Sequence, residues 1–339
     1  VTQTASDAAA ASQAAASSYQ AQQSATSTAA ALAAIQAWRQ IDGKALDASW
    51  PGVVARMLAV ISGAQRKAAA AAPAYVGRVA AAQRAGTATT RLVPGAFANL
   101  TGDGRPLSSL LYTPVALSKQ RIGQGERIAD VLAAEEAHVA LLARTVTQDA
   151  GRMALQTATM GYPNLRGYVR VVHLPACARC IILAGRFYRR SEGFLRHPNC
   201  DCTMIPARGD QWIPSQDPAK LLKQMQADHP DSLKKSLTEG DLKALDHGAD
   251  VNQVVNAHRG MATAAGPGRT VQATTEGTTK RGFAGKRLIA EAGAKRGTGR
   301  YSTARTPRLT PAQVFEEASL NSWDRAEIVR QLTRFGYIT

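Results

Sequence analysis

Apolar residues recur at three- and four-residue spacing over much of the first 160 positions. Val53, Val54, Met57, Leu58 and Ile61 follow this rule and predict a helix that runs to about Ala72. Ser49 is its expected N-cap and Pro51 its first-turn proline. Pro73 interrupts, and a further helix is predicted over 74–85. The strongest signal lies between Gly125 and Met160. There Ile128, Val131, Leu132, Val139, Leu142, Val146 and Met153 form an apolar stripe at near-heptad spacing. Gly161-Tyr162-Pro163 ends it. Residues 1–36 differ: alanine mixed with Ser, Gln and Thr, Asp7 the only charge, and few large apolar groups before Leu32 and Ile35. Alanine favours helix, so this stretch is helical if something packs on it. Its better part is 25–40, ending near Gly43. Gly86–Arg105 reads as a loop, and Pro114 breaks a mixed pattern over 107–121.

Past Pro163 the period changes. Tyr168–Val172 alternates and is β-branched, a short strand; Thr203–Pro206 reads as a second. The stretch between them is expected to be clamped by the two strands. Polar helices are predicted over 218–226 and 230–259, with start signals at Asp231-Ser232 and at Thr238-x-x-Asp241, a capping-box variant. From Ala262 to Arg308 no periodicity is visible. A last helix is expected over 311–335, with Thr310 as N-cap, Pro311 at N1, an interruption near Asn321 and Gly336 as C-cap. The predicted fold is therefore mostly α with a small α+β zinc-stapled unit. Long N-terminal helices lead into it, and an extended basic C-terminal arm ends in a short helix. The predicted divisions are 1–124, 125–165, 166–260, 261–308 and 309–339.

Composition sharpens this picture. Aromatic residues make up only 5% of the chain and much of its apolar content is alanine. Such a chain builds long helices rather than one dense globule. The net charge of +16 points to a polyanionic neighbour, most often nucleic acid. Between Lys280 and Arg308 nine basic residues face one acid, Glu291. Lys280, Arg281, Lys286, Arg287, Lys295, Arg296, Arg300, Arg305 and Arg308 are the candidate DNA contacts, each phosphate contact releasing counterions. No apolar run approaches the roughly 18 residues of a membrane span, so no membrane contact is expected. No secretory signal pattern is visible at the N-terminus.

All four cysteines fall between Cys177 and Cys202, in the pattern C-x2-C, sixteen residues, H-x2-C-x-C. Such clustering is unlike a secreted disulfide framework and points to a reducing compartment at synthesis. Thiolates with one imidazole suit a four-coordinate structural zinc site, which would stabilise a unit poor in large apolar groups. Cys177, Cys180, His197, Cys200 and Cys202 offer five ligands for four places. One set takes His197 with Cys200; another replaces His197 by Cys202. Paired or redox-active thiols are a second reading. Nucleophilic catalysis by Cys180 or Cys200 beside His197 or His173 is a third. His138, in the long helix, reads as a packed or solvated side chain. The sequence holds no G-x-S-x-G elbow, Walker A loop, strand-linked G-x-G-x-x-G or H-E-x-x-H.

The C-x2-C pair, Leu183-Ala184-Gly185-Arg186, Gly193-Phe194 and His197-Pro198-Asn199-Cys200-x-Cys202 together resemble the MuF-like minor head proteins of tailed bacteriophages. The actinobacteriophage versions, often labelled capsid maturation protease, are the most similar. Gly167-Tyr168-Val169-Arg170, Asn252–Asn256 and Arg334–Ile338 extend the likeness over about 125–339. It implies a minor component of the phage head, structural rather than catalytic. The implied partners are the portal protein, the major capsid protein and packaged double-stranded DNA. The implied location is the inside of the head in the virion, and the host cytoplasm during assembly. A capsid maturation protease and a sequence-independent DNA-binding protein are the alternatives. One departure is Asp201, where family members usually carry Arg; it lowers the positive charge beside the site without removing a ligand.

Overall fold

A computed structural model describes residues 5–192, 200–209, 216–266, 269–277 and 307–338. The chain forms two compact units. The first holds Val1–His173 and Gly185–Ser215, the second Leu174–Ala184 and Gln216–Thr339. The described residues are mostly helical with a small share of sheet.

The first unit is built on α1 (Ala5–Trp38), α2 (Leu46–Ala70), α3 (Ala72–Ala82) and α6 (Ile128–Met160), with the short α4 (Leu107–Leu111) and α5 (Thr113–Gly123) beside them. The alanine-rich N-terminus is one continuous helix because α2, α3 and α6 pack on it. It buries small residues, among them Ala8, Ser12, Ala16, Ser27, Ala30 and Ala34. Two larger clusters flank this seam. One gathers Trp38, Met57, Ile61, Leu107, Leu111 and Val139. The other joins Tyr19, Tyr75, Val76 and Leu155 to the sheet residues Tyr168, Val169 and Ile205. Each such buried large side chain contributes about 1.5–3 kcal/mol. The stripe predicted on α6 is seated in part: Val131, Val139 and Val146 are buried, and Ala143, Ala150 and Ala154 share the face with them. His138 packs as expected, its Nδ1 2.9 Å from Glu135 Oε2.

The start of α2 differs from expectation. The helix begins at Leu46, so Ser49 lies inside it and Pro51 is an interior proline. The Ser49 hydroxyl donates to Ala45 O at 2.9 Å and accepts from Asp42 N at 3.0 Å. It thus ties the preceding turn to the helix instead of capping it. Pro51 is tolerated because it falls near the N-terminal end, where only the Asp47 carbonyl loses a helical partner. Gln65 is fully buried and clamps the loop before α4: Nε2 donates to Leu100 O at 2.7 Å and Oε1 accepts from Asn99 N at 2.9 Å.

Three strands complete this unit: β1 (Gly167–Val171), β2 (Phe187–Arg189) and β3 (Thr203–Ala207), in the order β2-β1-β3, all antiparallel. The two predicted strands pair directly with each other; β2 has too few residues to show a period. In register, Gly167 faces Arg189 on one side and Ala207 on the other. β3 is an edge, and Pro206 suits it because an edge position can spare a ladder donor. Its outward carbonyls are taken by α3: Tyr75 Oη donates to Met204 O at 3.0 Å and Gln83 Nε2 to Pro206 O at 2.7 Å.

The second unit contains α7 (Ala178–Ile181), α8 (Pro218–Asp228), α9 (Pro230–Lys234), α10 (Glu239–Asp246), α11 (Val251–Ala257), the hairpin β4 (Met261–Gly266) and β5 (Arg269–Thr274), the two-residue β6 (Arg308–Leu309), α12 (Pro311–Leu320) and α13 (Arg325–Arg334). The capping box forms at Thr238 and Asp241 as read from the sequence. The other start signal is displaced: α9 begins at Pro230, ahead of Asp231-Ser232, and His229 precedes it. The region without periodicity opens with the β4–β5 hairpin, whose pairing an irregular Thr/Ala/Gly sequence conceals. β6 then adds to β5, Thr274 opposite Arg308. The last helix breaks at Asn321, and Asp324 caps its second half. Gly336 has φ 72, the left-handed C-terminal turn glycine accepts at least cost, and Tyr337 packs back fully buried.

Candidate metal centre

In the first unit, β1 runs to Val171 and the chain then leaves the sheet. The neck of this excursion is closed by backbone pairs: Gly185 N donates to Arg170 O at 2.9 Å, and Arg170 N to Arg186 O at 3.0 Å. Gly185 has φ 72, which permits the sharp return. The chain comes back to the sheet through Cys200-Asp201-Cys202, directly ahead of β3. Two cations attend these residues. Arg152, from α6, donates through Nη2 to the Cys200 and Cys202 carbonyls. Arg170, buried in the middle of β1, reaches Cys200 Sγ with Nη2 at 3.7 Å. Gln148 Nε2 donates to Asp201 Oδ1 at 3.1 Å. Burial pulls the Arg152 guanidinium below its ordinary pKa, while negative charge at Cys200, Cys202, Tyr19 and Asp201 opposes that pull. A small cavity of about 30 Å³, lined by Tyr19, Gln23, Gln148, Arg152 and Cys202 among others, opens beside them.

In the second unit, Cys177 caps the single turn α7. Its Sγ accepts from Cys180 N at 3.4 Å, so the C-x2-C pair is wrapped as a knuckle with a backbone N–H aimed at sulfur. Ala178 N donates to Ser236 Oγ at 3.2 Å, which fixes the knuckle to the residue after α9.

No disulfide joins any of the four cysteines, so the paired-disulfide reading is not realised. Cys200 and Cys202 are buried in the first unit; in the second, Cys180 is buried and Cys177 half-buried. His197 lies outside the described residues. The donors in each unit are soft thiols of the kind zinc takes, and in the first unit Arg152 and Arg170 stand beside Cys200 to offset thiolate charge. His173, considered above as a base, is a partner of Thr203 instead, Nε2 to Oγ1 at 2.9 Å. Burial lowers its pKa, which favours the neutral ring.

The candidate DNA contacts from Lys280 to Arg305 lie outside the described residues. Arg308 is a correction. It is 1% exposed, donates from Nη1 to Phe335 O at 2.7 Å and from Nη2 to Gln253 Oε1 at 3.2 Å, and stacks on Tyr337 at 4.2 Å. It holds the C-terminal helices of the second unit and is withdrawn from any ligand.

Comparison with known families gives a match to the VG15 protein family over residues 10–228, a span holding the helices of the first unit and all four cysteines. The chain belongs to the VG15 protein family. That places it among phage proteins. No curated protein and no solved structure matches it. None of the described helices of this VG15 protein is long and apolar enough to cross a membrane.

Proposed function

We propose that this VG15 protein is a minor head protein of the MuF-like kind, a structural component of a tailed phage. In this reading it joins the portal and the inner face of the major capsid protein and touches packaged double-stranded DNA. The observation that carries the proposal is the family match over residues 10–228, which takes in the whole cysteine stretch. The five candidate ligands Cys177, Cys180, His197, Cys200 and Cys202 support a structural role for that stretch, because they are enough to close a four-coordinate site, which holds a fold and leaves no coordination place for substrate. Zinc is the assigned ion. The eight basic residues from Lys280 to Arg305 are the assigned DNA contacts of the arm, with Arg308 removed from the set.

The location is tested on purified virions. The chain is expected in DNA-filled heads, protected from added protease until the shell is opened, and it should bind immobilised portal protein. Its absence from virions would refute the proposal. Elemental analysis of the purified chain should find about one zinc; less than about half an equivalent, in metal-retaining buffer, counts against the ion. Specific cleavage of the major capsid protein by the chain, abolished by a single Ser or Cys substitution, would replace this reading by the protease one.

A further inference from the structure

The antiparallel register of the first unit gathers arginines that the sequence scatters. Gly167 is paired with Arg189 and with Ala207. The residue before β1 is Arg166, the residues closing β2 are Arg189 and Arg190, and the residue after β3 is Arg208. All four therefore leave the sheet at the same end. There they line one open hollow of about 590 Å³, with the half-buried Phe187 as its apolar wall. No carboxylate is among the described lining residues. The nearby acid, Glu192, is turned to the backbone, its Oε2 accepting from Arg189 N at 2.9 Å.

Two of these guanidinium groups are tethered to backbone carbonyls. Arg190 donates to the carbonyls of Tyr162, Leu165 and Pro163. Arg208 Nη1 donates to Gln83 O at 3.2 Å. Carbonyls fix the direction in which a guanidinium points. Arg166 and Arg189 are exposed. Four cations around one concavity, with no carboxylate among its described lining residues, raise the local concentration of anions. Guanidinium forks pair with phosphate oxygens through two parallel hydrogen bonds, so the chemistry suits a phosphodiester backbone.

We infer that this arginine-lined hollow at the end of the β2-β1-β3 sheet is a docking surface for the phosphodiester backbone of double-stranded DNA. It is separate from the basic arm and independent of the thiol cluster. The inference rests on the head-protein reading for its choice of polyanion. Its test is nevertheless separate, because it uses the purified full chain and does not involve virions.

The experiment measures binding of a random-sequence DNA duplex as a function of salt. Each phosphate contact contributes about 0.9 to the log–log slope and a factor of about 8 at 0.1 M salt. The double variant Arg166→Gln, Arg189→Gln alters only exposed side chains. It is expected to reduce the slope by about 2 and to bind roughly 60-fold more weakly at 0.1 M salt, with an unchanged circular dichroism spectrum. Arg166→Lys, Arg189→Lys keeps the charge and should keep the slope. Neutralising the arm from Lys280 to Arg305 should lower affinity further while leaving the effect of the glutamine pair intact. Unchanged slope and affinity in the glutamine pair would overturn the inference. So would loss of binding to polyglutamate with duplex binding preserved, since the surface would then serve an acidic protein. Loss of the slope in the lysine pair would overturn it as well, because charge would not be the cause.

Discussion

Gly151 sits in the interior of α6, where helix propensity alone favours alanine by about 1 kcal/mol. The structure predicts the opposite sign. A Cβ added at Gly151 would lie 2.3 Å from Gln23 Oε1 and 3.0 Å from Gln23 Cδ. The Gln23 amide is not free to yield at no cost, because its Nε2 donates to Ala68 O at 3.0 Å. Moving it breaks that bond, worth about 1 kcal/mol, and leaves the Ala68 carbonyl short of a partner at about 1–3 kcal/mol. Gly151→Ala should therefore destabilise the wild-type chain by about 1–3 kcal/mol. In a Gln23→Ala background the obstruction is gone, and the same change should stabilise by about 1 kcal/mol. The coupling between the two sites is then about 2 kcal/mol or more, well above the usual error of additivity. Urea unfolding of the four proteins, followed by far-UV circular dichroism, measures it. A stabilising effect of Gly151→Ala in the wild-type background, or the same sign in both, would refute the argument that α1 and α6 are in contact through this glycine.

Arg308→Leu should destabilise the second unit by about 3 kcal/mol, since it leaves the Phe335 carbonyl unpaired; a melting temperature unchanged from wild type would show that the burial does not matter. Gly240→Ala should be destabilising by about 1–3 kcal/mol, because its Cβ would meet Ala312 Cα at 2.4 Å, backbone that cannot step aside as a side-chain tip can; thermal unfolding decides. His258 Nε2 lies 2.8 Å from Asp241 Oδ2, and the hydrogen bond to that carboxylate raises its pKa. A raised folded-state pKa gives stability that is complete below the unfolded value of about 6.5 and lost as pH climbs through the folded value. Unfolding free energy should accordingly fall from pH 6 toward pH 8.5, and His258→Gln should flatten that fall; an unaltered pH profile in the variant would count against the pair.

Much of the helical frame was legible because period and breakers speak locally. The pattern from Val53 to Ile61, the proline at 73 and the stop at Gly161 report on their own neighbourhoods. Alanine does not. It signals helix but marks no face, so the continuity of α1 depended on partners that sequence periodicity cannot display. Ser49 and Pro51 misled because capping residues also serve inside the first turns, where Ser49 holds the Asp42 backbone. The cysteines stood out through spacing, since all four fall between Cys177 and Cys202. Arg308 was misread because a charge count carries no burial. The arginine hollow was invisible for a related reason: Arg166, Arg189, Arg190 and Arg208 span some forty residues, and only the strand register brings them together.

The pairing of Thr274 with Arg308 has a consequence for the segment it encloses. Residues 275 and 307 adjoin neighbouring strands of one sheet, so the chain on either side of this segment is held together by the ladder. A single protease cut within the segment should leave the two fragments together, because α12 and α13 remain fastened through Arg308 and Tyr337 to residues on the other side of the break. Nicked protein should therefore migrate as one species in native conditions and as two only after denaturation.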